Sequence, residues 1–239
     1  MFLFTHPIFQ KRIPMTSPSK LRDAPCIALI ADMVKSRDVP RVQRPGVQQS
    51  FSEFVATLNH KYKHALVARF VVTLGDEFQG LLSDALVLPD LLWDMHYKFD
   101  MRQLRVGIGF GTIDTPIGKD AINVDGPALH HARNAIDIAK KEKLLGGVFD
   151  GFGATYDPAF NGFARLLQHH RARLKPQQRK VIALLRQSLT QTAIADELGI
   201  TRQAVSLYAA AAGWQAYREG EAGWRALLAQ FSFGESPRI

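Results

Sequence analysis

The chain has 239 residues, with 30 Lys and Arg against 22 Asp and Glu, a formal charge of +8, and 46% hydrophobic and 22% charged residues. At roughly 100–200 residues per domain this predicts one large domain or two small ones with ample core, and such a composition excludes wholesale disorder. The one cysteine, Cys26, excludes an internal disulfide framework and any zinc site of the CxxC type, so a reducing compartment is expected, most simply the cytoplasm. No stretch approaches the roughly 20 apolar residues of a membrane span. Met1 to Gln10 is apolar but broken by His6 and Pro7, and Lys11 and Arg12 follow it, the wrong order for a secretory signal. Residues 1–20 read as a poorly ordered tail.

Cys26 to Ala31 is a continuous apolar run, long enough for a strand buried on both faces, and it ends at Asp32. Pro45 to Tyr62 carries Phe51, Phe54, Val55, Leu58 and Tyr62 at helical spacing. Ala68 to Leu74 is rich in strand formers, Gly75-Asp76 is a turn signal, and Glu77 to Leu82 can return as the hairpin partner. Pro89 opens a second helix, with Leu91, Leu92, Met95 and Phe99 on its apolar side. Leu104 to Ile113 resumes strand alternation, and a helix over about 126–141 and a short strand near 147–149 follow. The order β-α-β-β-α-β predicts a ferredoxin-like arrangement.

That topology makes strands one and two parallel and seats strand three beside strand one. Asp32 and Asp76 are then expected as near neighbours at one edge of the sheet. Two carboxylates there repel unless a cation lies between them, and hard oxygen ligands suit Mg²⁺ or Mn²⁺.

The segment Ile30 to Arg37 resembles the first-strand motif of class III nucleotidyl cyclases. Leu74-Gly-Asp-Glu-Phe78 is similar to the metal-binding hairpin those cyclases share with GGDEF-type diguanylate cyclases. Arg105 to Gly111 resembles their glycine-rich strand, and Asp125 to Arg133 their later helix ending in Ala-Arg. Taken together, GDEFQ and DGPxxxxAR over residues 25–150 most resemble the SatD family. The resemblance implies a nucleotidyl-cyclase palm in which Asp32 and Asp76 hold the metal and Glu77 lies beside them. It implies that Gly75 and the backbone of Val34, Lys35 and Ser36 bind a nucleoside triphosphate, the latter cradling phosphate at the start of the next helix. It also implies that Arg133 stabilises charge on a transferred phosphoryl group. The cyclases carry an asparagine four residues before that arginine, where this chain has Leu129, a departure that counts against cyclisation.

Plainer readings stand beside these. An aspartate at a strand end and a Gly-Asp turn are common punctuation, and Arg133 can be a salt-bridged helix residue. Gly107, Gly109 and Gly111 alternate in a strand with no helix opening after them, so they signal close approach of a ligand or of a neighbouring helix. His60 and His64 fit an exposed helix face, His130 and His131 are ambiguous, His169 and His170 suit a basic surface, and buried Cys26 is expected to be inert.

From Arg165 onward stand 11 Lys and Arg against 5 Asp and Glu, whereas the first 164 residues are nearly neutral. The asymmetry hints at a nucleic-acid partner for the basic part. Leu174 to Leu185 begins a helix. In Leu189 to Ser206, Thr190 and Thr201 can cap successive helices and Gly199 can end the first of them in the left-handed conformation. Over residues 174–211 the pattern resembles the helix-turn-helix of sigma-factor region four and of response-regulator output domains. That likeness implies that the helix starting at Thr201 enters the major groove, with Arg202, Gln203 and Ser206 outward and Lys175, Arg179, Lys180 and Arg186 on phosphates. A helical hairpin for protein contacts is the alternative, and Ala209 to Ala212 with Trp214 can pack on the last helix or on a second copy.

The expectation is therefore an α+β protein: a tail over 1–20, a ferredoxin-like, cyclase-palm-type domain over 21–163, and an all-α helix-turn-helix domain over 164–239. Its expected function is a nucleotide-responsive regulator binding Mg²⁺ or Mn²⁺, a nucleoside triphosphate and double-stranded DNA, with no membrane partner, acting as a homodimer. The rivals are an active nucleotidyl cyclase or nucleotidyltransferase and a non-catalytic adaptor.

Overall fold

The apolar run that starts at Cys26 forms β1 (Cys26–Met33), the middle strand of a five-stranded sheet. The computed structural model describes residues 24–231 except Leu74 and Asp100, so the tail expected over 1–20 lies outside the described residues. The other strands are β2 (Leu66–Val72), β3 (Glu77–Leu82), β4 (Leu104–Gly111) and β5 (Val148–Asp150), in the spatial order β2-β3-β1-β4-β5. All neighbours are antiparallel except β4 and β5. Helix α1 (Arg44–Lys61) connects β1 to β2, and α2 (Leu88–Tyr97) connects β3 to β4.

Strand alternation explains why β1 is apolar throughout. Ile27, Leu29, Ala31 and Met33 pack with Phe51, Phe54 and Leu58 of α1 and Leu88 and Leu91 of α2. Cys26, Ala28 and Ile30 face the other way, onto Ala128, Ala132 and Ile136 of α3 (Pro127–Glu142). Each such side chain, once fully buried, contributes roughly 1.5–3 kcal/mol. Burial pushes the Cys26 thiol up to about 12, which keeps it a neutral, unreactive hydrophobe.

The three glycines of β4 answer to the helix. A Cβ at Gly109 would stand 2.2 Å from the Ala128 carbonyl oxygen and 2.2 Å from the Ala132 nitrogen. At Gly107 it would meet the Ala132 oxygen at 2.3 Å, and at Gly111 the Ala128 nitrogen at 2.8 Å. The strand thus offers bare backbone to α3, whose facing residues are themselves small.

Beyond β5 the chain is helical: α4 (Tyr156–Ala172), α5 (Pro176–Arg186), α6 (Gln191–Leu198), α7 (Arg202–Ala211) and α8 (Trp214–Gln230). The boundary expected between residues 163 and 164 falls inside α4. That helix is tied to the sheet at one end, where Asp157 accepts from the Phe152 N–H and Asn161 bonds both backbone groups of Phe149. Trp224 and Leu228 of α8 join the same core cluster as Phe149, Phe152 and Phe160. One buried core therefore runs from the sheet into the C-terminal helices.

A charged cluster closes the same seam. Arg186 donates to both oxygens of Glu221, at 2.6 and 2.9 Å, and to Asp90 at 2.9 Å, with its guanidinium 4.3 Å from the Trp93 ring. Arg225 meets Glu221 at 2.7 Å and Asp90 at 3.0 Å. The phosphate-contacting role expected of Arg186 is thereby corrected: its side chain is buried and saturated by carboxylates from α2 and α8. Arg171 is buried beside it, between the Trp93 and Tyr217 rings. His170 also leaves the basic surface expected of it, bonding the Ala212 carbonyl and lying against Tyr217.

Two outcomes follow from these packing terms. Gly109→Ala forces α3 off β4 and should cost about 3 kcal/mol in urea denaturation. For Glu221, burial works to raise the carboxyl, but the hydrogen bonds and charge of Arg186, with Arg225, override it and bring it from 4.5 to about 2. A folded value below the unfolded one gives stability that is complete above about pH 4.5 and lost as pH falls towards 2. Unfolding free energy measured against pH should decline across that window, and Glu221→Gln should flatten the decline.

Candidate functional site

Register places three charged residues in one row. Asp32 of β1 lies directly opposite Glu77 of β3 on one side and Arg105 of β4 on the other. Directly paired residues share a face of a sheet, and this is the face that α3 covers. The glycine column lets α3 lie low enough for its own cations to reach across. Arg133 forms a two-pronged bond to Glu77, at 2.7 and 2.9 Å. Lys140 stands 3.7 Å from Asp32 and 4.0 Å from Glu77, and Arg105 is 3.5 Å from Asp32.

The balance of these charges is uneven. Glu77 is buried, its side chain 6% exposed, and Arg133 gives it a planar partner for both oxygens. The bond to Glu77 in turn raises the Arg133 pKa. Asp32 is less well served, and its pKa is raised: burial does most of this, Asp76 and Glu77 add to it, and Lys140 and Arg105 oppose it. The cost of burying this carboxylate thus outweighs what its two cations return.

Asp76 sits at the end of the β2–β3 turn, its carbonyl accepting from the Met33 N–H at 2.9 Å. Asp32 and Asp76 thus stand at the same end of the sheet, but Asp76 lies opposite Met33, whose side chain packs toward α1 and α2, whereas Asp32 faces α3. Ser36 donates to the Asp76 carboxylate, and Asp76 lines an open cleft of about 210 Å³ with Met33, Ser36, Arg37, Arg44, Gln48 and Gly75. Gly75 has φ +76°, a conformation that favours glycine in this turn. Among the described residues, no three His, Cys, Asp or Glu side chains form a group able to hold a metal by themselves.

Two expectations change here. The Val34 N–H is spent on the Gln103 carbonyl, so it is not part of a phosphate cradle. The loop also leads into two 3₁₀ turns, Ser36–Asp38 with Lys35 at φ +55° and Arg41–Gln43, and α1 starts only at Arg44, so Lys35 and Ser36 stand at no α-helix N-terminus. Glu77 and Arg133 are brought together as expected, but bonded to each other. Leu129 is buried in the core under α3.

Arg105 and Lys140 are the members of the row that sequence reasoning missed. Lys140 follows Arg133 by seven residues, two helical turns along one face, and that spacing was the available signal. The histidines divide as well. His60 and His64 are exposed, whereas His130 bonds Asp125 and His131 bonds Asp150, both at 2.8–2.9 Å.

At the other end of the chain, Thr190 and Thr201 accept from the N–H groups of Ala193 and Ala204, and Gly199 takes φ +63°. Val181, Ile194, Ala195, Val205 and Ala209 form the core that joins α5, α6 and α7. Thr201, Arg202, Gln203 and Ser206 are exposed on α7, and Lys175, Arg179 and Lys180 are exposed on and before α5. The Arg179 guanidinium lies 4.8 Å from the Tyr97 ring.

The geometry defines a mixed α/β protein with an acidic pair at one end of its sheet and a basic helical C-terminal region. Residues 26–149 match the SatD family, and the chain belongs to that family. The match runs from the first residue of β1 into β5, so it contains the whole charged row and ends before α4. Among curated proteins none matches the chain significantly.

Arg133→Ala leaves the buried Glu77 carboxylate with only the Thr73 hydroxyl at 3.5 Å and Lys140 at 4.0 Å, and should cost about 2 kcal/mol in chemical denaturation. Adding Glu77→Gln to that variant should recover part of the loss, because the amide needs no counter-charge. A double-mutant cycle on the two positions checks the coupling.

Proposed function

We propose that this protein is a nucleotide-responsive, DNA-binding regulator, with a palm-type domain that takes a divalent cation and a nucleoside triphosphate and a helix-turn-helix that takes duplex DNA. The observation that carries the first half is the placement of Asp32 and Asp76 at the same end of the sheet, with Asp32 buried enough that its pKa is raised. The spatial order β2-β3-β1-β4, antiparallel throughout, is what a ferredoxin-like palm requires, with β5 added at the edge.

The donor set fits Mg²⁺ or Mn²⁺. Two carboxylates are what such an ion commonly takes from a protein, the remaining positions going to phosphate oxygens and water. Asp32 and Asp76 would hold it, and Ser36 orients Asp76. When bound, the ion neutralises phosphate charge. Arg37, Arg44 and the Lys35–Ser36 backbone line or flank the cleft where a triphosphate would lie. Glu77 is not counted as a ligand, since Arg133 takes both its oxygens. That pairing, with Leu129 in place of an asparagine, favours binding over transfer chemistry.

Support for the second half comes from α6 and α7, which are capped, joined by a three-residue turn and packed on α5. Arg202, Gln203 and Ser206 would read base edges, while Lys175, Arg179 and Lys180 would contact phosphates. A homodimer would set two such helices on paired half-sites.

The test uses the whole chain. Mg²⁺ with a saturating nucleoside triphosphate should raise Tm by about 5 °C. Asp76→Asn should abolish the shift. Duplex affinity should fall steeply with salt and change when the nucleotide is added. Turnover of the nucleotide that is lost in Asp76→Asn would establish the enzyme instead, and binding of neither ligand would establish the adaptor.

A further inference from the structure

Helix α7 presents a stripe to solvent that polar readout does not fully use. Arg202, Gln203, Ser206, Leu207 and Ala210 recur at spacings of three and four and are all exposed, while Val205 and Ala209 on the opposite side are buried in the core of α5 to α7. Leu207 stands out, since it is 67% exposed in the middle of this stripe. Its neighbours along the helix, Gln203 and Ala211, are one turn away on either side. Leu207 therefore continues toward the helix C-terminus a face that Arg202, Gln203 and Ser206 open with polar groups, and among the described residues it has no apolar partner large enough to cover it.

Duplex DNA is such a partner. Its major groove is walled by phosphates and displays one apolar group, the C5-methyl of thymine. The charge matches, because α7 has no acidic residue and Lys175, Arg179, Lys180 and Arg202 are exposed on α7 and on or just before the α5 helix it packs with. A second copy of the chain is a poorer fit. One leucine flanked by alanines offers far less than the roughly 800 Å² per partner that a stable interface buries. The small Ala210 and Ala211 instead leave room for the helix to approach a groove floor closely.

We infer that Leu207 is a specificity-determining residue that packs on the methyl group of a thymine, beside the bases contacted by Arg202 and Gln203. This rests on the DNA-binding reading above. It adds a directional statement to it: the bound site holds a thymine whose methyl group, and not only its hydrogen-bonding edge, is read.

The full-length protein should first be used to enrich bound duplexes from a random pool. Each thymine of the enriched site is then replaced by deoxyuridine, which deletes the methyl and keeps every hydrogen bond. One replacement should weaken binding by wild type about fourfold, the worth of one buried methyl. The same replacement should leave binding by Leu207→Ala unchanged, and because Leu207 is exposed the variant keeps its fold. If duplexes are enriched but no deoxyuridine position distinguishes the two proteins, the inference falls and the DNA-binding reading stands. If instead Leu207→Ala lowers the oligomeric mass in sedimentation with no change in thymine sensitivity, a second copy covers the residue and the inference is overturned. If no duplex is enriched at all, the DNA-binding reading itself fails.

Discussion

The close contact between α3 and β4 is what the rest of the candidate site depends on. On an ordinary strand every second side chain stands between the backbone and whatever packs on that face. Here Gly107, Gly109 and Gly111 remove those side chains, and Ala128 and Ala132 remove the helix's own bulk. Lowering the helix brings Arg133 and Lys140 over strands two and three places away from the edge they rise from. Without that approach Glu77 would be a buried carboxylate opposed by nothing, a state that costs several kcal/mol or forces protonation. A packing constraint on one strand therefore decides the electrostatics of another.

The C-terminal helices are bound to the sheet by a seam of a different kind. Arg186 and Arg225 share Asp90 and Glu221, and the aromatic rings of Trp93 and Tyr217 close over Arg171 and Arg186. Desolvating so many charges is expensive, and the complete pairing of Glu221 is what offsets it. A module on a flexible linker would be free to turn; this one moves relative to α2 only by breaking those pairs. Any influence of a ligand at the sheet edge on α7 must then act on the whole body, through a difference in affinity between two packed arrangements.

Much of this was legible in the sequence, and the failures have physical reasons. β1 was readable because both its faces are buried, which makes it apolar at every position. Helices α6 and α7 were readable because Thr190, Gly199 and Thr201 are local signals that act through adjacent backbone. The meeting of Asp32 with the β2–β3 turn followed from strand order alone. By contrast α4 has no side-chain cap and carries Gly162 in its middle, which outweigh the start signals of Asp157 and Pro158 in its first turn. It forms because Phe160, Ala164 and Leu167 are buried against β5 and α8. Arg186 misled for the same reason. A terminal arginine on an amphipathic helix looks solvated until Asp90 arrives from 96 residues away.

The division of the acidic groups bears on what chemistry the site can host. Asp32 and Glu77 lie side by side in the row and Asp76 stands next to them at the strand end, but the three do not share one environment. Glu77 is satisfied by a guanidinium of matching shape, whereas Asp32 is met only at 3.5 Å or more by two cations, and Asp76 by a neutral hydroxyl. The raised Asp32 pKa is chiefly the cost of burying its charge, which Lys140 and Arg105 offset only in part. Added positive charge at this end of the sheet would therefore favour the ionised Asp32 while leaving the Glu77–Arg133 clamp intact, because that clamp already uses both oxygens of Glu77.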